Sequence, residues 1–238
     1  MFNTLYNFPY YKDFLEANGY VKDFDWLEHR FDVPKALPDK IEHVAQRLLE
    51  RYELREADIG RLKKDPDFIR RFFRLYNESF DGSVPHFIPY TEAEMEEEAR
   101  SILPYVDGRY SCILLDRTGD IAAFAIGFPN LSPAFRACRG RLFPFGWMRL
   151  VNAMRSRPDS LDFLLVGAAP KWQNSGISAL FHRFFFQRAR EVGARRIRTN
   201  PQLESNPAEH VWRSYGSTPQ IRRRCYVKSL GKSAENSE

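Results

Sequence analysis

Apolar positions recur along the chain with two periods, and the switches between them predict its elements. Ile41, Val44, Ala45, Leu48 and Leu49 repeat at helical spacing and predict a helix over 41–52. Phe68, Ile69, Phe72, Phe73, Leu75, Tyr76 and Phe80 predict a second over 67–80, broken by Gly82, Pro85 and Pro89. Thr91 and Glu94 then carry the capping-box signature of a helix running to about Leu103. Apolar runs at 111–116 and 121–128, joined through Thr118-Gly119, predict a hairpin. Residues 162–168 read as a buried strand and 175–192 as a long helix closed by Gly193. Strands at 195–199 and 221–229 flank a helix at 206–215, and 143–154 reads as an inserted helix. A short strand is expected at 53–57. Near the start, 10–17 reads as a helix stopped by Asn18-Gly19, 20–31 as extended chain and 34–38 as a linker. This order predicts an α/β fold, a mixed twisted sheet flanked by helices on both faces.

Composition narrows the class. With 238 residues, 43% hydrophobic and 28% charged, one large globular domain with an appendage is the simplest organisation. Twenty Phe, eleven Tyr and four Trp predict bulky packing or a deep apolar groove. The net charge of +5 suits an anionic small ligand as well as it suits nucleic acid, and nucleic acid is not the expected partner. The arginines at 195, 196, 198 and 222–224 could attract a phosphate or an acidic acceptor, although such runs are more often solvated faces. Cys112, Cys138 and Cys225 are too widely spaced for a disulfide framework or a zinc site, so no metal and a reducing, cytoplasmic setting are expected. No apolar run approaches the ~20 residues of a membrane span, and none is expected.

Chemistry concentrates between Leu164 and Ser178, where the strand ends at Ala168-Ala169-Pro170 and the chain turns into the long helix. Unpartnered N–H groups and the macrodipole make a helix start a place for an anion. Gly176 carries no side chain to hold a phosphate away, and Ser175 and Ser178 are small. An ordinary strand-to-helix turn, with Gly176 only easing packing, fits the same six residues. The wider stretch, Val166-Gly167-Ala168-Ala169-Pro170 then Gln173-Asn174-Ser175-Gly176-Ile177-Ser178, resembles the GNAT superfamily of acyl-CoA-dependent N-acyltransferases. It departs at Ser178, where that pattern has Gly or Ala.

The resemblance implies a cofactor, acetyl-CoA or another acyl-CoA. It also implies that Gln173, Asn174, Ser175, Gly176, Ile177 and Ser178 hold the pyrophosphate while Val166 and Ala168 pair with the pantetheine arm. Asn206 is either a further cofactor contact or only an N-cap. Leu142 to Trp147, Asn77 to Phe80, Pro85 to Pro89 and Arg222 to Lys228 look like a poorly characterised subgroup whose members often carry two GNAT-like halves. Asn7 to Tyr11 with Glu16 to Tyr20 resembles the last helix and strand of such a half. The implied organisation is an N-terminal extension over 1–50, the tail of a preceding half; a GNAT-like domain over 51–230; and a flexible tail over 231–238.

Amine acylation needs a neutral amine, a proton route, oxyanion donors and a proton for the leaving thiolate. Glu204 is a candidate base, although a solvated carboxylate is the commoner identity of such a residue. Tyr215 lies near the place of the family's thiol-protonating Tyr but one residue before Gly216. His86, Phe80 and Trp147 are candidates for the acceptor entrance. Phe143 to Trp147, with Met148, Leu150, Val151 and Met154, are read as core packing of the inserted helix, with an acceptor wall or a membrane contact as alternatives. The implied partner is a small-molecule or peptide amine, and a homodimer is compatible with all of this. The competing reading is a non-catalytic GNAT-like module that binds CoA or a protein.

Overall fold

The computed structural model describes residues 6–206 and 208–230, and the tail expected over 231–238 lies outside them. In chain order the elements are α1 (Tyr10–Ala17), β1 (Val21–Asp32), α2 (Asp39–Tyr52), β2 (Arg55–Glu56), α3 (Ile59–Leu62), α4 (Pro66–Phe80) and α5 (Glu92–Ile102). There follow β3 (Cys112–Leu115), β4 (Ile121–Pro129), α6 (Ser132–Ala137), α7 (Gly146–Arg155), β5 (Ser160–Ala168) and α8 (Ser178–Glu191). The chain closes with β6 (Arg196–Arg198), β7 (Gln202–Leu203), α9 (Ala208–Ser214) and β8 (Thr218–Val227). This is the mixed α/β architecture that the two periodicities predict.

The described residues form two compact units, 30–200 and 6–29 with 201–206 and 208–230. In the first, β2, β3, β4 and β5 run antiparallel in that order, β6 adds parallel to β5, and Arg30–Asp32 of β1 adds antiparallel to β6. All nine residues of β4 are buried, the mark of a central strand covered on both faces. Phe124, Leu114, Leu161, Leu180, Phe185, Phe186 and Ile197 form the fully buried centre. Asp116 shapes the β3–β4 hairpin by accepting from Thr118 N–H (3.0 Å) and Asp120 N–H (3.1 Å), and Lys171 Nζ donates to its Oδ2 at 2.7 Å. Thr91 and Glu94 make the capping box at the start of α5.

In the second unit β7 pairs antiparallel with β1 at Trp26 and Leu27, and β8 also pairs with β1. The arginines of β8 are spent on buried carboxylates there. Arg222 and Arg224 both engage Asp25, and Arg223 engages Glu28. Arg195 and Arg196, in the first unit, pair with Asp159.

One expectation is corrected. Helix α7 starts at Gly146 rather than near Phe143, and the aromatic residues read as core are outside: Phe143 is 82% exposed, Phe145 71% and Trp147 48%, while Leu150, Val151 and Met154 are half-buried. The reason is local. The segment closes on itself through Trp147 N–H to Leu142 O and Arg141 N–H to Cys138 O, so its rings meet no opposing layer.

Candidate functional site

Strand β5 supplies the backbone of the site. One edge is taken by β4, with Ala123 opposite Ala168 and Ala125 opposite Val166. The other is met by β6 only at Ser160, Leu161 and Asp162. From Phe163 to Ala168 that second edge carries no strand among the described residues. Ala169 N–H donates to Ala122 O at 2.9 Å, which sets the alternation. Leu165 and Gly167 therefore exchange bonds with β4, while Val166 and Ala168 turn their N–H and C=O toward the open edge. An extended ligand bearing amides can pair there as a strand would.

Two side chains end the exposed backbone. Ser79 Oγ, on the buried face of α4, donates to Ala168 O at 3.1 Å, and Gln173 Nε2 reaches the same carbonyl at 3.3 Å. Ser79 lies in the Asn77–Phe80 stretch, but the sequence gives it no role, because a serine at helical core spacing reads as packing. Its helix is fixed by Asn77, whose side chain makes two 2.9 Å hydrogen bonds to the backbone of Tyr90.

Beyond β5 the chain makes a single 3₁₀ turn over Pro170–Trp172 and enters α8 at Ser178. Two of the six amides in the expected cradle are spent within the turn, Gln173 N–H on Ala169 O and Ser175 N–H on Trp172 O. The amides of Asn174, Gly176, Ile177 and Ser178 have no hydrogen-bond partner among the described residues. No side chain caps the helix, and its first turn holds no acidic residue. Gly176 at φ 86° is followed by Ile177 at φ −57°, ψ −22°. A left-handed residue followed by a right-handed one aims successive N–H groups into one concavity, and the helix dipole adds to its positive potential.

Gly176 has a second reason to be glycine. A Cβ there would stand 3.2 Å from Val44 Cγ1 and 4.0 Å from Leu48 Cδ1, both on α2. Its bare side faces that helix, and the absence of a side chain serves the turn's conformation and its seat on α2. Arg183 of α8 reinforces the seat through Glu42 at 3.1 Å and Gln46 at 2.8 Å.

Phe80 packs with Tyr76 (4.9 Å between ring centroids) and Phe87 (6.0 Å), and His86 follows on the exposed loop at φ 58°. Trp147 lies on another element, its indole N–H donated to Pro144 O at 3.0 Å. Glu204, Asn206 and Tyr215 belong to the second unit. Glu204 is paired with Lys22 and, at 3.5 Å, with Arg222. Asn206 is exposed and donates its backbone N–H to Leu203 O at 2.9 Å. Burial pushes the Tyr215 phenol up to about 12, so it stays protonated through neutral pH. Cys112 is buried and its thiol pushed up by that burial, which keeps it from acting as a nucleophile. A separate cleft of about 520 Å³, lined among others by Lys63, Tyr105, Arg109, Tyr110, Phe128 and Met154, opens at the far end of β4.

No family model matches the chain. It is 26% identical over 227 residues to the bacterial ceramide synthase of Caulobacter vibrioides and 24% identical over 234 residues to protein YghO of Escherichia coli. These matches cover 91% and 93% of the chain but 57% of each relative, so the chain spans little more than half of their length. Among solved structures it resembles a GCN5-related N-acetyltransferase from Sphaerobacter thermophilus, with TM-score 0.55 and 15% identity over 91% of this chain and 55% of that one. It also resembles the GCN5-related glucosamine N-acetyltransferase region of a fungal multi-domain β-N-acetylglucosaminidase, with TM-score 0.57 and 12% identity over 91% of this chain and 22% of that one. At these identities the likeness shows the fold alone, which is that of these GCN5-related N-acetyltransferases.

Proposed function

We propose that the chain is an acyl-CoA-dependent N-acyltransferase that passes its acyl group directly from the bound thioester to an amine. The observation that carries this reading is the continuity of two features: the edge of β5 that no strand among the described residues takes beyond Asp162 and, just past its end, the uncapped N-terminus of α8. A CoA molecule needs both. Its pantetheine arm carries amides that pair with Val166 and with the N–H of Ala168, whose carbonyl Ser79 and Gln173 already occupy, and its pyrophosphate takes the free amides of Asn174, Gly176, Ile177 and Ser178, with Gln173 and Ser175 shaping the turn. In the transfer the amine nitrogen attacks the thioester carbonyl, the C–N bond forms, the C–S bond breaks, and the amine proton leaves as the thiolate gains one. Tyr215 is the assigned donor to the thiolate. Glu204 is the assigned base, through water, and Asn206 a further cofactor contact.

The acceptor is an amine, with Phe80, His86 and Trp147 assigned to its approach. The name of the Caulobacter relative makes a long-chain amine the first acceptor class to screen beside small and peptide amines. Calorimetry with acetyl-CoA and a long-chain acyl-CoA tests the cofactor half: absence of heat at millimolar ligand removes the proposal's basis. Release of free CoA above background with any amine supports transfer. A second reading, a CoA-binding or protein-interaction module without catalysis, is favoured by Glu204 being paired with Lys22 and Arg222. Binding without turnover across the screen would select it.

A further inference from the structure

From Ser132 to Pro158 the chain contains six arginines, Arg136, Arg139, Arg141, Arg149, Arg155 and Arg157, and no Asp or Glu. The whole chain carries +5, so the remainder is close to neutral and the excess positive charge is concentrated in this one insertion. All six are exposed. Between them project Leu142 (41% exposed), Phe143 (82%), Phe145 (71%), Trp147 (48%) and Met148 (52%).

The projection is built rather than frayed. Trp147 N–H bonds Leu142 O at 2.8 Å, the Trp147 indole bonds Pro144 O at 3.0 Å, and Cys138 Sγ donates to Gly146 O at 3.2 Å. Gly146 is pressed so close to Arg141 that a Cβ there would lie 1.9 Å from the Arg141 carbonyl oxygen. The loop therefore holds its rings in water at a standing hydrophobic cost that burial against something apolar relieves.

We infer that this insertion is a peripheral docking face for an anionic lipid bilayer, with Phe143, Phe145 and Trp147 entering the headgroup and acyl boundary and the arginines meeting lipid phosphates. Three features select that occupant. Leu and Met beside the rings favour hydrocarbon over the base stacking of a nucleic acid. The arginines flank the apolar tip on both sides, the arrangement in which charge contacts headgroups while the tip inserts. A second copy docking through the same face would bring two acid-free arginine clusters together, which like-charge repulsion opposes. The inference does not depend on the acyltransferase proposal.

The test uses the full chain without CoA. Sedimentation with vesicles of phosphatidylcholine alone is compared with vesicles containing about one-third phosphatidylglycerol. The expected result is binding to the anionic vesicles that falls about tenfold or more on raising the salt severalfold or on replacing the charges in Arg139→Glu/Arg141→Glu. Phe143→Ser/Phe145→Ser is expected to abolish it while the thermal midpoint stays unchanged, since neither ring packs in the core. Equal binding by the Ser variant, equal binding to neutral vesicles, or no vesicle binding overturns the inference. So does light scattering that shows a dimer lost in the Ser variant, or salt-sensitive RNA binding with no vesicle binding.

Discussion

Asp162 and Arg198 face each other in the last register that β5 and β6 share, and Arg198 grips the carboxylate with both Nε (2.8 Å) and Nη2 (2.5 Å). Beyond this pair no strand among the described residues pairs with the second edge of β5. A two-pronged ion pair resists both sliding and rotation, so it sets where pairing ends as well as that it holds. Asp162 is 2% exposed, and Asp162→Ala leaves the part-buried guanidinium without a carboxylate, held by Asn130 Oδ1 at 2.9 Å and Ser132 Oγ at 3.4 Å. The expected loss is about 3 kcal/mol of stability by chemical denaturation. Asp162→Asn, which keeps the shape and one acceptor, is expected to lose less than half of that. Equal losses would mean that packing, not charge, closes the fork.

Gly176 separates conformation from crowding. Gly176→Ala puts a Cβ at φ 86° and 3.2 Å from Val44 Cγ1. The left-handed residue costs about 1–2 kcal/mol whatever the space around it. Adding Val44→Ala relieves only the crowding, so the double variant is expected to stay destabilised and to bind acyl-CoA at least about tenfold more weakly, a distorted nest no longer aiming its amides together. Recovery of both stability and calorimetric affinity in the double variant would show that Gly176 serves packing alone.

How far the sequence reaches is clearest from these same elements. Helix α4 and the β3–β4 hairpin were legible because their information is local: apolar spacing in one, alternation around Thr118-Gly119 in the other. The turn into α8 was legible through Gln173 to Ser178. The open edge of β5 was not, since it depends on how early β6 stops, and a three-residue strand has too little pattern to mark its end. Nor could the seat of Gly176 on Val44 be read, a contact between residues far apart in the chain. Phe143 and Phe145 misled for the opposite reason. Their hydrophobicity is that of core residues, and only the closed loop that holds them outward shows otherwise.

Tyr215 gives a kinetic prediction resting on the proposed transfer. A phenol pushed up to about 12 by burial is protonated across the working range and can donate. Tyr215→Phe is expected to lower kcat by about 10–100-fold with acyl-CoA affinity unchanged. The wild type should show no alkaline fall in rate from this residue below about pH 10. An unchanged kcat would leave Tyr215 as a packing residue beside Trp212, whose ring centroid lies 6.4 Å away.

Acid should weaken the protein in two separate windows. His182, 4% exposed on α8, is pushed down to about 4 by burial, from the 6.5 of a free imidazole. Between those values the unfolded chain binds a proton that the folded chain refuses, so stability is intact above about pH 6.5 and declines toward pH 4. Asp25, held low chiefly by its hydrogen bond from Arg224, titrates near 2. Asp116 also titrates near 2: burial alone would raise it, but hydrogen bonds from Lys171, Thr118 and two backbone amides outweigh that. For these carboxylates the stabilising contribution is present above about pH 4, the unfolded value, and is lost as pH falls toward 2. His182→Leu is therefore expected to flatten the decline between pH 6.5 and 4 and leave the lower one, while Asp116→Asn should shrink only the lower. Urea midpoints measured from pH 7 to pH 2 resolve the two, and an upper decline unchanged in His182→Leu would place its origin elsewhere.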